Sequence, residues 1–420
     1  MDHSALLPKF HLDQPKAWKE LPRCVIMRGW CFGADGQPIP SIRLRSPDIT
    51  LAAVTGLPRP DVKAACPDAP GDNTGFEICG TLPSGRIDLV LEALVPDGSW
   101  CPLLAWTAKV ERQIIPFWLG GGAWTELMFF QMPAHMAYPP RPVPPEKFPA
   151  AAGIAPKPNL SIVTPSYQQA RYLGETMRSV LDQPGVNCQY VVQDGGSTDG
   201  SAALIQQQAG RLHASESTKD NGQAEAIARG FAKTSGGPDD VMAWINSDDF
   251  YLPGALAFVA DYFSGHPDVD VIYGHRIVVD EASQEIARRF LPRHDAAVLR
   301  LNDFVPQETM FWRRRTWDRV GGLDTSFKFA MDWDLLLRFQ TAGANIVRVP
   351  YFLACFRVHP AQKTSAAMHT SGQKEITLLR ERAQGRSFRD AELETHPRLL
   401  RYLRRSSWIQ FLWRLGIRAS

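Results

Sequence analysis

From Leu160 onward the chain alternates short apolar runs with amphipathic stretches, and this alternation leaves few folds open. Leu160-Ser-Ile-Val-Thr reads as a strand, followed by a helix with Leu173, Met177, Val180 and Leu181 on one face. Tyr190-Val-Val-Gln is the next strand and Ser201 to Gln208 the next helix. A further helix carries Ala224, Ile227, Ala228 and Phe231 at helical spacing; Val241–Ile245 is a strand and Pro253 to Phe263 a helix. Such order predicts a mostly parallel sheet with helices on both faces. Val271 to Val279 and Thr309 to Trp312 read as later strands, Ala330 to Ala342 as a helix, and Ile346 to Val358 as strand-like.

The Val241–Ile245 run stops at Asn246-Ser247-Asp248-Asp249. Ligands of open α/β sheets bind at the carboxyl ends of the strands. Two acids placed there can hold a hard divalent cation, which takes one or two carboxylates plus substrate phosphates. The competing reading makes Ser247 a helix cap and the acids partners of the helix dipole.

Upstream, short β-forming runs (Cys24 to Met27, Ile42 to Arg45, Ile49 to Ala52, Ile87 to Ala93) alternate with the turn pairs Asp35-Gly36, Ser84-Gly85 and Asp97-Gly98. They predict a small antiparallel sandwich or barrel, with Trp30, Trp100 and Trp106 filling its core. Gly56 to Val62 reads as a shaped loop. Ala123 to Gln131 is expected to pack on one of the domains. Pro139 to Pro158 contains eight prolines, which disfavour helix and sheet. The expected division is therefore an extension over 1–17, a β-rich domain over 18–115, a linker over 116–158, an α/β domain over 159–370 and a tail over 371–420.

With 420 residues there is room for two cores, and a net charge of +2 gives no argument for nucleic acid. Seven cysteines without a C-x-x-C pair argue against a disulfide framework or structural zinc and for a reducing compartment. Residues 1–20 lack the apolar core of a signal peptide, and no apolar run approaches the ~18 residues of a membrane span. The expectation is a cytoplasmic protein. Neither G-x-x-x-x-G-K-[ST] nor a G-x-G-x-x-G after a strand is present, which sets aside the common phosphate loops.

Three more polar stretches accompany the acid pair. Gln193-Asp194-Gly-Gly-Ser-Thr-Asp-Gly follows the second strand; its glycines admit close approach, and Asp194 can accept from a nucleobase imide. Lys219-Asp220-Asn-Gly-Gln223 opens one helix, and Met331-Asp332-Trp333-Asp334 opens another. Asp332 and Asp334, two apart on a helix, diverge.

The order of these stretches resembles family 2 glycosyltransferases, which have the GT-A fold. The likeness runs from about Asn159 to Ser365. It rests on Ser161-Ile-Val-Thr-Pro-Ser-Tyr, Asp194-Gly-Gly-Ser-Thr-Asp-Gly, Asp220-Asn-Gly-Gln-Ala-Glu-Ala, Trp244-Ile-Asn-Ser-Asp-Asp-Phe, Gln307-Glu-Thr-Met-Phe-Trp, Met331-Asp-Trp-Asp-Leu and Phe356-Arg-Val-His. The resemblance implies a nucleotide-sugar donor across the strand ends. Thr164, Pro165 and Asp194 would contact the nucleoside, Asp220 would lie near it, and Asp248 near the ribose. Asp249 would ligate Mn2+ or Mg2+, with His359 reaching the metal or the diphosphate unless it is merely structural. Asp332 would be the catalytic base of an inverting transfer, although Met331 replaces the first acid of the commoner Glu-Asp pair. Gln307, Glu308 and Trp312 would line the acceptor side. Asp194 favours a UDP- or dTDP-sugar, and the implied acceptor is a glycan or lipid-linked glycan of a cell-surface polysaccharide. Rival readings are a glycan-binding or assembly protein with a degenerate transferase domain, and a nucleotidyltransferase, which lacks its usual basic Gly-rich loop here.

The tail interleaves Arg398, Arg401, Arg404, Arg405, Arg414 and Arg418 with Leu399, Leu400, Leu403, Trp408, Phe411, Leu412 and Trp413. A basic amphipathic helix either lies on an anionic membrane or packs on the catalytic domain with a solvated basic face.

Overall fold

The computed structural model describes residues 8–14, 18–21, 24–83, 85–110, 140–149, 156–359, 372–389, 392–393 and 395–414. They fall into two compact units, 8–110 and 140–414. The stretch Ala123 to Gln131, most of the first extension and residues 360–371 lie outside the described residues.

The first unit is β-rich, as its turn spacing predicts. Its strands follow the order Lys9–Gln14, Cys24–Phe32, Gly75–Thr81, Thr50–Leu57, Ser41–Arg45, Gly85–Leu94, Trp100–Val110 and Glu20–Leu21. All neighbours are antiparallel except the last pair. The core differs from expectation. Trp30, Trp100 and Trp106 are only half-buried, and Met27, Ile42, Leu44, Phe76, Ile78, Leu89 and Leu91 fill the interior. Large flat rings sit at the margin, where part of each stays wet: the Trp106 indole donates to the Trp18 carbonyl at 3.0 Å, and the Arg43 guanidinium lies 3.9 Å over Trp100. The Gly56–Val62 stretch is no open loop. It ends a strand and begins the helix Pro60–Ala65, and Arg59 ties it down by bonds to Asp61 and Asp13.

The second unit has the α/β class expected for it. Ala214–Ser217, Cys188–Asp194, Leu160–Ser166 and Val241–Trp244 are parallel neighbours in that order. Leu160–Ser166, with a partner on each side and helices above and below, is buried at every residue. Covered on both faces, it has no reason to show the period-two alternation of a one-faced strand. Beyond Val241–Trp244 the sheet becomes mixed: Phe311–Arg313 runs antiparallel, followed by Val271–Val279 and Gln284–Arg289, while Ile346–Arg357 pairs in parallel with Val271–Val279.

Each face is closed by its own apolar cluster. On one side Leu173, Met177 and Val180 of Ala170–Leu181 pack with Phe258, Val259 and Phe263 of Ala255–Gly265. On the other, Ala224, Ile227 and Phe231 of Gln223–Phe231 pack with Leu335, Leu336 and Phe339 of Met331–Thr341. Gly230 is required here, because a Cβ at that position would lie 2.4 Å from a Val163 methyl.

The first half of the Pro-rich stretch is not a free spacer. Arg141–Pro142 adds an edge strand to Gln284–Arg289, Arg141 pairs with the buried Glu285 at 2.6 Å, and Phe148 stacks on Phe258 at 5.1 Å. Proline lacks the donor a central strand needs, and an edge is where a sheet tolerates it. The described part of the tail includes the helices Gln373–Gln384 and Pro397–Arg414. Among the described residues no helix is long and apolar enough to cross a membrane.

Candidate active site

Four parallel strands deliver their carboxyl ends to one cavity of about 720 Å³. Pro165, Ser166 and Tyr167 come from the first in sequence, Gly195 and Gly196 from the second, Lys219, Asp220 and Gln223 from the third, and Asn246 to Asp249 from the fourth. Arg276, Gln307 and Glu308 line it from the mixed part of the sheet, and Lys328 to Asp332 from the start of a helix. This is the placement that the crevice rule for α/β sheets leads one to expect.

The acid pair is held rigidly. Asp249 is 1% exposed, and its Oδ1 accepts the Arg357 backbone N–H at 3.0 Å. The Thr176 hydroxyl donates to the carbonyls of Ser247 and Asp249 at 2.9 and 2.7 Å. Arg357 donates from Nε to the Asp248 carbonyl at 2.8 Å and from Nη2 to Glu175 at 2.6 Å. Burial, with the charges of Asp248 and Glu308, pushes the Asp249 carboxyl well above the usual carboxylate range. A group so disposed gains from a nearby cation. Among the described residues no three acidic, histidine or cysteine side chains form a ready-made metal cage. An oxygen-rich pair that leaves further ligands to a bound phosphate suits Mg2+ or Mn2+. The residues therefore fit the cation that the resemblance implies.

His359 lies against the acid pair, behind the cavity wall. Its Nε2 is 3.0 Å from Asp248 Oδ2, and its side chain is 3% exposed beneath Tyr172. It does not line the cavity; it fixes the orientation of Asp248.

Next to the acids runs an amide chain. Gln223 Nε2 donates to Asn246 Oδ1 at 2.6 Å, Asn246 Nδ2 to Gln307 Oε1 at 3.3 Å, and Gln307 Nε2 to the Trp244 carbonyl at 2.8 Å. Glu308 is 1% exposed and takes a bidentate pair from Arg276, both bonds 2.7 Å. Gln307 and Glu308 thus reach the cavity wall, with Glu308 already committed to an arginine. Trp312 does not. It is fully buried against the rings of Trp244, Phe231, Trp317 and Phe339, at 5.4 to 6.0 Å, and so does not line the acceptor side.

The nucleoside candidates separate in the same way. Pro165 and Asp220 line the cavity; Thr164 is 0% exposed and shares a 2.9 Å hydrogen bond with the Tyr190 hydroxyl. Asp194 is also 0% exposed and does not reach the wall. Its Oδ2 accepts from Gly196 N, Ser197 N and Ser217 Oγ, and its Oδ1 from Ser197 Oγ, at 2.6 to 3.1 Å. The carboxylate builds the glycine turn instead of presenting itself to a base. Gly195 belongs there because a Cβ would come 2.9 Å from Asp220 Oδ2.

Asp332 lines the cavity from the first turn of Met331–Thr341 and accepts the Trp333 N–H at 2.9 Å. Asp334 points elsewhere, pairing with Arg338 at 2.7 Å. The three consecutive amides of Lys328, Phe329 and Ala330 all donate to the Glu375 carboxylate, at 2.8, 2.8 and 2.9 Å. Glu375 escapes a sequence reading because it lies outside every motif. Arg276 left a signal, a lone charge inside the apolar run Val271–Val279. Arg357 lies in the stretch Phe356-Arg-Val-His, where the resemblance implies no role for it.

Residues 161–322 match the family described as Glycosyl transferase family 2. This segment is therefore similar to family 2 glycosyltransferase domains. Over 202 residues the chain is 29% identical to the O-antigen biosynthesis protein RfbC of Myxococcus xanthus, covering 47% of this chain and 16% of that protein. It is 27% identical over 233 residues to an uncharacterized glycosyltransferase of Nostoc, covering 51% of this chain and 70% of the other. A solved structure, S. aureus TarS 1–349 with UDP-GlcNAc, is similar at a TM-score of 0.45 and 16% identity, over 56% of this chain and 69% of that one. The chain therefore spans only a small part of the Myxococcus relative.

Proposed function

We propose that this chain is a metal-dependent, inverting glycosyltransferase that moves a sugar from a nucleotide donor to a hydroxyl of a glycan acceptor in cell-surface polysaccharide synthesis. The observation that carries this reading is the meeting of the Asp248-Asp249 pair and Asp332 on one cavity at the strand ends. A cavity of about 720 Å³ is within the usual range for small-ligand pockets, roughly 300–1,000 Å³. The name of the Myxococcus relative supports the polysaccharide setting.

In this reading Asp249, with Asp248 beside it, holds Mn2+ or Mg2+, which when bound stabilises negative charge on a leaving diphosphate. His359 and Arg357 keep the pair in place. Pro165, Gly195, Gly196 and Asp220 form the nucleoside wall, and the backbone of Gly195 and Gly196 approaches the ligand because no side chain intervenes. Asp332 accepts the proton of the acceptor hydroxyl as that oxygen attacks the sugar carbon. With Asp194 buried in its turn, a preference for uracil or thymine loses its contact, so a donor panel has to include guanine nucleotides.

Asp332→Asn tests the assignment. Donor binding is expected to stay within about twofold while transfer falls by 10²-fold or more, the usual scale of a lost general base. Transfer at the wild-type rate would move the base to another residue.

A further inference from the structure

We propose that the outer face of the helix Pro397–Arg414 docks on an anionic lipid surface. The helix contains five arginines and no acidic residue. Its two faces do different things. Leu399, Tyr402 and Ile409 are buried on the catalytic unit: Tyr402 lies 4.6 Å from Phe304, Trp413 lies 5.1 Å from Phe290, and the Ser406 hydroxyl donates to the Phe290 carbonyl. Arg401, Arg404, Arg405, Trp408 and Phe411 are exposed, and at about 100° per residue they share an arc of about 120° opposite that contact. The buried face fits the packed reading of the tail, and the proposal concerns the outer face alone.

The outer face is more than a solvated basic surface. Among the described residues five large hydrophobic side chains are exposed, and two of them, Trp408 at 53% and Phe411 at 41%, stack on each other here at 5.5 Å. A third, Tyr167, lines the cavity already described. Arg401, Arg404 and Arg405 make no ion pair among the described residues. Paired aromatic rings next to unpaired arginines match a bilayer interface: rings enter at headgroup level, and guanidinium groups meet lipid phosphates. A second copy of the chain is a poor occupant, because two such faces would bring like charges together.

The test is co-sedimentation of the full chain with vesicles of equal parts phosphatidylcholine and phosphatidylglycerol, against phosphatidylcholine alone. Binding to the mixed vesicles only is expected. Trp408→Ala with Phe411→Ala should weaken it about tenfold, and Arg401→Glu, Arg404→Glu and Arg405→Glu by roughly fivefold per arginine. All five side chains are exposed, so folding is retained, and unchanged thermal melting checks this. Should the aromatic pair prove unstable, the arginine variants carry the test. No sedimentation with mixed vesicles, or equal sedimentation of wild type and variants, overturns the proposal. A change in oligomeric state without vesicle binding also overturns it.

Discussion

Replacing Asp194 separates two roles that a sequence motif cannot. In the structure its carboxylate is fully buried and accepts from two backbone amides and two hydroxyls. Alanine leaves all four donors without their acceptor. Each costs roughly 1–3 kcal/mol when stranded, and water entering the cavity recovers part of it, leaving about 4 kcal/mol. Asparagine keeps an acceptor for the three donors on Oδ2, while the Ser197 hydroxyl rotates to accept from the new amide. What is lost is the charge assistance, about 2 kcal/mol in sum. At about 2–4 °C per kcal/mol for a domain of this size, Asp194→Ala lowers the melting temperature by roughly 12 °C and Asp194→Asn by roughly 6 °C. Donor affinity should fall in parallel, because Gly195 and Gly196 line the cavity and Asp194 sets their turn. The assay is thermal melting with and without donor. An Asp194→Asn protein of wild-type stability that has lost donor binding would refute this reasoning and restore a direct base contact.

Other perturbations follow from the same structure. Glu375→Ala frees three amides of the Lys328–Ala330 segment next to Asp332, and turnover should fall about tenfold in steady-state kinetics, equivalent to ~1.4 kcal/mol, with Glu375→Gln between it and wild type. Glu308→Ala strands the buried Arg276 and should cost about 3–5 kcal/mol in denaturant unfolding; wild-type stability would mean that Arg276 finds another partner. Burial, then the charge of Arg348, pushes His275 down to about 3. Its folded value lies below the unfolded ~6.5, so its contribution is intact above pH 6.5 and fades as pH falls, by about 2 kcal/mol at pH 5. His275→Asn should remove that part of the slope in unfolding curves taken at pH 7 and pH 5.

Much of the second unit was legible because its signals are local. Val241–Trp244 stops one residue short of its expected end and shortly before the two acids, and the helix carrying Asp332 begins one residue from its expected start. The strand-end rule then brings distant motifs to one cavity. What stayed hidden depends on side-chain direction. Asp194 sits at the end of a strand, and its neighbours Gly195 and Gly196 reach the wall while its own carboxylate turns inward. Trp312 lies in a three-residue strand whose every position is buried, so its ring was always going to find the core. In the first unit Trp100–Val110 was missed because Pro102 interrupts its pattern. The tryptophans of the first unit looked like core by size alone, whereas smaller residues from seven of its strands already filled that space.

The central claim is tested most directly by nucleotide release from a panel of UDP-, dTDP- and GDP-sugars, measured with Mn2+, with Mg2+ and with EDTA, in wild type and Asp249→Ala. Release from at least one donor is expected with a metal, lost in EDTA and reduced at least 10²-fold by the substitution. Undiminished release in EDTA, equal release from Asp249→Ala, or none from any donor would contradict it.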